Sequence, residues 1–413
     1  MSEPAAALHA FDAFGIELEY MIVSDADLAV LPAADALLRA ASGDDSGEAD
    51  RGVYGWSNEL VLHVLEIKNA RPLPDLDALA AGFQHEVAAI NESLHDMGAR
   101  LMPGAMHPWM DPASETRLWP HRNEAIYAAY ARLFDTKSHG WANLQSMHIN
   151  LPFADDAEFA RLHAAIRVLL PILPALAASS PIADGRVTGD ADHRMQVYWH
   201  NADRMPAIAG LVVPEPARSR AEYEATILET MYREIAPFDP EGILRHEWLN
   251  SRGAIARFDR NAVEIRVLDV QECPRADLAI AAAVIHAVQT LYRSDATAQQ
   301  NAMSTEALAQ LLRDCIRDGE RARIDDATYL ALLGYPGAQC SAVELWAHLI
   351  ASMPQGAQAF WQEPLNTILE QGTLSRRILR ALGTDASPAR IDAVYRQLCD
   401  CLAQGTMFRP GTA

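Results

Sequence analysis

Four otherwise apolar stretches of the sequence carry acids, a histidine and an arginine at spacings that matter for chemistry. Glu17 and Glu19 stand two apart in FGIELEYMIV (14–23). Glu59 and Glu66 stand seven apart in NELVLHVLEIK (58–68). His148 and Asn150 stand two apart in NLQSMHINLPF (143–153), as do Glu264 and Arg266 in NAVEIRVLDVQ (261–271). Side chains two apart on a strand share a face. A solvated sheet face would explain any one pair, but such faces usually carry Lys, Thr and Ser. Carboxylates gathered on one face repel one another and raise each other's pKa values. Divalent cations relieve that repulsion, and hard oxygen ligands suit Mg²⁺, with Mn²⁺ as a substitute. Mg²⁺ held by carboxylates usually also holds phosphate, and an arginine beside it meets developing negative charge. The pattern therefore describes a phosphoryl-transfer surface. Glu59 and Glu66 resist it, because an odd spacing in one unbroken strand sends them to opposite faces. Both reach one site only if a bulge or break intervenes.

The elements that must position these residues read as α+β. The four stretches alternate as strands, with a further strand at ARLMPGAMHP (99–108) and another at GILRHEWLNS (242–251). RGAIARFDR connects the last of these to NAVEIRVLDVQ. Leu76, Leu79, Phe83, Val87, Ile90, Leu94 and Met97 step by three and four, an amphipathic helix bounded by Pro72, Pro74 and Gly98. Residues 123–134 form a short helix. A longer one opens after Asp155 or Asp156 and kinks at Pro171 and Pro174. Another runs from Pro274 to Arg293. Ala41–Gly52 is small, polar and Gly-rich and reads as a surface loop, and 180–218 reads as loop-rich. Beyond about residue 300 everything is helical, with turns at 334–337, Gln355–Gly356 and Gly383. The expected organisation is a sheet-and-helix catalytic core over 1–295 and a helical region over 296–413 packed on it as one unit.

Composition removes several classes. A net charge of −21 opposes a nucleic-acid footprint. No apolar run reaches the roughly 20 residues of a membrane span, and the N-terminus has no signal-peptide pattern. Five cysteines without framework spacing suit a reduced, cytoplasmic protein. Cys399 and Cys401 read as helix cysteines. Trp56, Trp109, Trp119, Trp141, Trp199 and Trp248 read as packing or site-wall residues rather than a base-stacking platform. The P-loop, the dinucleotide Gly-rich turn, the protein-kinase set, G-x-S-x-G and H-E-x-x-H are all absent. A nucleotide here would have to bind through metals on a carboxylate sheet.

In order, GIELEY (15–20), NELVLHVLEIKNARP (58–72), MHINLP (147–152), ALAASSP (175–181) with TGDADHRM (188–195), and NAVEIRVLDVQECP (261–274) resemble the glutamate–cysteine ligase superfamily. The closer likeness is to its second bacterial family, the carboxylate–amine ligases. It covers roughly residues 14–275. The resemblance implies a glutamine-synthetase-like fold, a curved and mostly antiparallel sheet forming a funnel with helices outside. It implies a ligase that uses ATP and Mg²⁺ to join a small, glutamate-like carboxylate to an amine through an acyl phosphate, releasing ADP and phosphate. It further implies a homo-oligomer.

Carried over by position, Glu17, Glu19, Glu59, Glu66, His148 and Glu264 would bind metal. His148, Asn150 and Arg266 would hold the nucleotide. Arg266 would meet the transferred phosphoryl group, and Arg194, in the loop after SSP, would hold acyl phosphate or substrate. Asp269 would support the site. Within this reading the bond is of γ-glutamyl type. The alternatives are glutamate–cysteine ligase proper, a phosphotransferase, or a non-catalytic nucleotide-binding regulator on the same fold. Arg252, Arg257 and Arg260 either bind a different substrate's carboxylate or decorate a hairpin.

Overall fold

The computed structural model describes residues 7–354 and 359–411, and the turn expected at Gln355–Gly356 lies outside them. An eight-stranded sheet organises the chain: β1 (Gly15–Ser24), β2 (Glu48–Arg51), β3 (Tyr54–Asn58), β4 (Val64–Asn69), β5 (Ala99–Met102), β6 (Ser146–Pro152), and, after a two-residue hairpin of β7 (Ile182–Ala183) and β8 (Arg186–Val187), β9 (Ala254–Arg257) and β10 (Ala262–Asp269). Its order is β2-β3-β4-β1-β6-β10-β9, and β5 pairs with the second half of β1. Every pairing is antiparallel. The architecture is thus the expected α+β type.

Alternation along the strands sorts the two faces. Ile16, Leu18, Tyr20, Leu65, Ile67, Met147, Ile149, Val263 and Ile265 point to the back and are fully buried or nearly so. Helices Leu76–His95, Asp156–Leu169 and Pro274–Arg293 cover that face with apolar stripes. Asp75 caps the first of them, accepting from the backbone N–H of Asp77 and Ala78 at 3.1 Å each, and Asp155 caps the second in the same way. The helix from Asp156 gives way at Leu170–Ile172 to a 3₁₀ turn containing Pro171, where proline removes a backbone donor. The front face is divided. Its apolar part, Met21, Val23, Val64 and Met102, packs under the C-terminal helices Leu374–Leu382 and Pro388–Gln404. The rest is polar and open.

Several local expectations are corrected, among them that everything beyond residue 300 is helical: Arg323–Ile324 and Cys340–Ser341 pair as a two-stranded antiparallel sheet. NELVLHVLEIK is not one strand: β3 ends at Asn58, a turn follows, and β4 begins at Val64. The expected loop 41–52 contains the edge strand β2. GILRHEWLNS is not a strand, because the Asp239 carboxylate accepts the N–H groups of Ile243 and Leu244 (3.0 and 2.8 Å) and Glu247–Leu249 closes a 3₁₀ turn. The strand beside β10 is β9, inside the expected connector, where the Tyr223 hydroxyl accepts from Ala256 N–H. Within the loop-rich 180–218, His193–Trp199 is a short helix capped by Asp192, and it carries Arg194. Among the described residues, no helix is long and apolar enough to cross a membrane. All five cysteines are free thiols, and Cys399 and Cys401 lie on the helix Pro388–Gln404.

Candidate active site

Register builds the site in rows across the front face. In one row Ser57 pairs with Glu66, and Glu66 with Glu19. In the next, Lys68 pairs with Glu17 and Glu17 with His148; in a third, Gly15 pairs with Asn150 and Asn150 with Glu264. A Cβ on Gly15 would lie 3.0 Å from that of Asn150, so any side chain there would press on Asn150. The break between β3 and β4 answers the parity problem. Glu59 follows the end of β3 and Glu66 lies in the neighbouring β4, so the intervening turn lets an odd spacing bring them together. One carboxylate oxygen each from Glu19, Glu59 and Glu66 lies within 4.8 Å of the others, and one donor atom each from Glu17, Glu66 and His148 does the same.

Hydrogen bonds pin these groups. Glu19 Oε2 accepts from Ser146 N–H (2.7 Å) and Ser146 Oγ (2.9 Å). Glu17 accepts from Asn150 Nδ2 (3.1 Å) and lies 3.0 Å from His148 Nδ1. His148 Nε2 is 2.9 Å from Ser146 Oγ. Lys68 Nζ and Ser57 Oγ both donate to Glu66 Oε1, at 2.8 and 2.7 Å. Glu264 is flanked by Arg266 Nε at 3.0 Å and Arg257 Nη1 at 3.2 Å.

These surroundings divide the acids by charge state. Burial, with the charges of Glu19 and Glu66 added, pushes the Glu59 carboxyl well above its ordinary 4.5. Burial likewise raises Glu19. In Glu17 burial is outweighed by the His148 hydrogen bond together with the charges of His148 and Lys68, and the carboxyl stays low. In Glu264 burial is outweighed by Arg266, His148 and Arg257. Burial opposes charge on His148, but the Glu17 hydrogen bond and the Glu19 and Glu264 carboxylates together raise its pKa. Glu19 and Glu59, buried carboxyls that resist ionisation until a cation arrives, fit a hard divalent ion.

Two cavities flank the rows. The smaller, about 180 Å³, is lined by Glu19, Glu59, Ser146, His148, Arg194 and Arg266 and by Tyr127, Tyr130, Trp141, Tyr198 and Trp248. The larger, about 520 Å³, opens on the Glu17 side between Gly15, Lys68, Arg71, Asn150 and Arg260. Five of the six expected metal residues thus fall in the two donor groups; Glu264 lies outside both and lines neither cavity, though His148 Nδ1 is 3.8 Å from it. Trp141 and Trp248 stand in a site wall, while Trp56 and Trp119 are core.

Arg194 lines the smaller cavity, but its guanidinium is already engaged. It is 2% exposed, and its guanidinium donates to Arg266 O (2.9 Å) and Leu268 O (3.1 Å) and pairs with Asp269 at 3.0 Å. Those carbonyls belong to a bulge between Ile265 and Leu268. The bulge turns Asp269, which regular alternation would send to the back, into register with Ser146. There it accepts from Ser179 N–H and Ser180 Oγ at 2.8 Å each. Arg252 is buried against Glu215 and Arg257 binds Glu264, so neither decorates a hairpin; Arg260 reaches the larger cavity. Lys68, Ser57 and the aromatic wall were missed as site residues. Lys68 shares the parity of Glu66, a usable signal. Tyr127 and Tyr130 had none beyond lying three apart in a helix.

The model of a family described as glutamate-cysteine ligase family 2 matches residues 13–397. An uncharacterised protein of Archaeoglobus fulgidus is 35% identical over 305 residues, 74% of this chain and 80% of its own length. A putative glutamate–cysteine ligase 2 of Bradyrhizobium sp. (strain ORS 278) is 28% identical over 281 residues, 66% of this chain and 60% of that protein. The crystal structure of a glutamate–cysteine ligase from Francisella tularensis in complex with AMP superposes with a TM-score of 0.59 at 12% identity, covering 96% of this chain and 89% of that one. At that identity the likeness shows a shared fold.

Proposed function

We propose, from the premise that this chain belongs to glutamate–cysteine ligase family 2 and is a carboxylate–amine ligase, that it forms an amide bond at the expense of ATP through an acyl phosphate. The observation that carries this is the meeting of two acidic donor groups on one sheet face between two unequal cavities. The larger opening, edged by Lys68, Arg71 and Arg260, suits a nucleotide; the smaller suits a single small substrate. Glu17, Glu66, His148 and Glu264 would hold Mg²⁺ towards the nucleotide, and Glu19, Glu59 and Glu66 towards the substrate. When bound, Mg²⁺ neutralises phosphate oxygens and makes the γ-phosphorus a better electrophile.

The chain's own residues do the rest. Asn150 orients Glu17 and Ser146 orients Glu19, so neither acid swings away. Arg266, fixed by Glu264 at 3.0 Å and donating to Asn250 O at 3.3 Å, stands where charge develops on the transferred phosphoryl group. A substrate carboxylate oxygen attacks the γ-phosphorus and the bond to the bridging oxygen breaks, releasing ADP. The amine then attacks the acyl carbon and phosphate leaves with the C–O electron pair, the nitrogen losing a proton. The reading places the enzyme in the cytoplasm, acting on small molecules.

The test supplies MgATP, an acid panel and hydroxylamine as the amine. ADP and phosphate should form together with a hydroxamate; AMP and pyrophosphate would overturn the acyl-phosphate route. Glu264→Gln should lose at least about 10²-fold in turnover with an unchanged circular dichroism spectrum. A fully active Glu264→Gln protein would remove the site from the reading.

A further inference from the structure

The smaller cavity presents an unusual wall. The Tyr130 ring lies 5.2 Å from that of Trp141 and 5.9 Å from that of Trp248. All three are half-buried, with ring surface left facing the cavity. Three polar groups of the wall are already engaged. Tyr198 donates its hydroxyl to Ser251 O (2.9 Å), Tyr127 accepts from Asn58 Nδ2 (3.0 Å), and Trp141 Nε1 donates to Asn201 O (3.1 Å). What these residues show the cavity is ring surface.

Charge gives the complementary constraint. The lining contains no lysine. Of its two arginines, Arg194 is engaged by Asp269 and two backbone carbonyls, which leaves Arg266 as the one guanidinium able to meet a substrate carboxylate. A second carboxylate on the same molecule would lie unpaired among rings, and burying an unpaired charge is strongly unfavourable. The lining carboxylates, Glu19 and Glu59, belong to the candidate metal group, and the unpartnered Asn201 Oδ1 of the same lining is a neutral acceptor that cannot balance an ammonium's charge. One carboxylate at one end and a flat apolar body at the other is the chemistry that matches.

We propose that the acid substrate is a monocarboxylate with an aromatic body, an arylalkanoate, seated with its carboxylate at Arg266 and its ring against Tyr130, Trp141 and Trp248. This rests on the ligase reading above and narrows it away from glutamate.

The reaction to be measured is 3-phenylpropionate plus ATP plus hydroxylamine giving 3-phenylpropionohydroxamate, ADP and phosphate. Hydroxylamine supplies the nitrogen, and one carboxylate oxygen leaves with the phosphate. The expected result is a kcat/KM for 3-phenylpropionate at least tenfold above that for L-glutamate. Equal or better use of L-glutamate overturns the proposal. Trp248→Leu should raise KM for 3-phenylpropionate at least tenfold with kcat changed less than threefold, and Trp248→Phe should restore KM to within threefold. A fall in kcat alone, with KM unmoved, overturns the wall. If no acid yields ADP, the ligase reading fails, and calorimetric titration of 3-phenylpropionate into the full chain with Mg²⁺ and a non-hydrolysable ATP analogue decides the wall separately. Saturable binding, weakened at least tenfold by Trp248→Leu and absent with L-glutamate, supports it; absence of saturable binding overturns it.

Discussion

Glu59 stands at the mouth of the smaller cavity beside Glu19 and Glu66, and its carboxyl is held well above its ordinary 4.5 by burial and then by those two charges. A carboxyl whose folded pKa is raised binds more protons folded than unfolded. The protein is therefore destabilised as pH rises from about 4.5 upward, and a bound cation should reverse this. Metal-free protein should lose thermal stability between pH 5.5 and pH 8, and Mg²⁺ should restore more at pH 8 than at pH 5.5. At a hundredfold excess over Kd the gain is about 2.7 kcal/mol. Scanning fluorimetry with EDTA or MgCl₂ at both pH values checks this, and Glu59→Gln should raise the metal-free Tm at pH 8 while shrinking the Mg²⁺ increment. A Tm indifferent to Mg²⁺ at pH 8 would argue against the cation group.

At the scale of elements, the decisive piece is the β10 bulge and the helix His193–Trp199 that braces it. Arg194 bridges the two, holding the carbonyls of Arg266 and Leu268. In the proposed reading it aims Arg266 and is a positioning residue. Arg194→Met leaves Asp269 buried without its cation, which should cost about 3–5 kcal/mol in denaturant unfolding. In the surviving folded protein, kcat should fall at least tenfold while the KM for ATP changes little. A large rise in the KM for ATP instead would mean that Arg194 contacts nucleotide directly.

Across the whole molecule, the helical region after residue 300 joins the core through buried charge as well as apolar packing. Arg377 pairs with Glu272, just beyond β10, and donates to Phe408 O at 2.7 Å, while Phe408 N–H donates to Glu272 at 3.2 Å. One buried pair thus joins the end of β10, the helix Leu374–Leu382 and the segment after the last helix. Arg377→Met should cost about 3–5 kcal/mol because it strands a buried carboxylate, whereas Arg377→Met with Glu272→Leu should regain most of that. Urea unfolding of the three proteins reads the difference; a double variant as unstable as the single would place the energy in packing rather than in the unpaired charge.

The amino-acid sequence by itself determined which side chains share a face within each strand, because side-chain direction alternates with a period of two. Glu17 with Glu19, and Ser146, His148 and Asn150 together, were legible on that ground, as were the capped amphipathic helices. The order of the motifs further carried the resemblance to the family. What only the tertiary structure decided was which strands are neighbours, where the chain turns between Glu59 and Glu66, and where the β10 bulge brings Asp269 forward. Those depend on pairings and hydrogen bonds between residues far apart in the chain, such as Arg194 with Leu268, and a period read along one strand does not contain them. The aromatic wall is of the same kind: Tyr130, Trp141 and Trp248 become one surface only when a helix, a short turn and a distant loop are packed together over the polar half of the sheet.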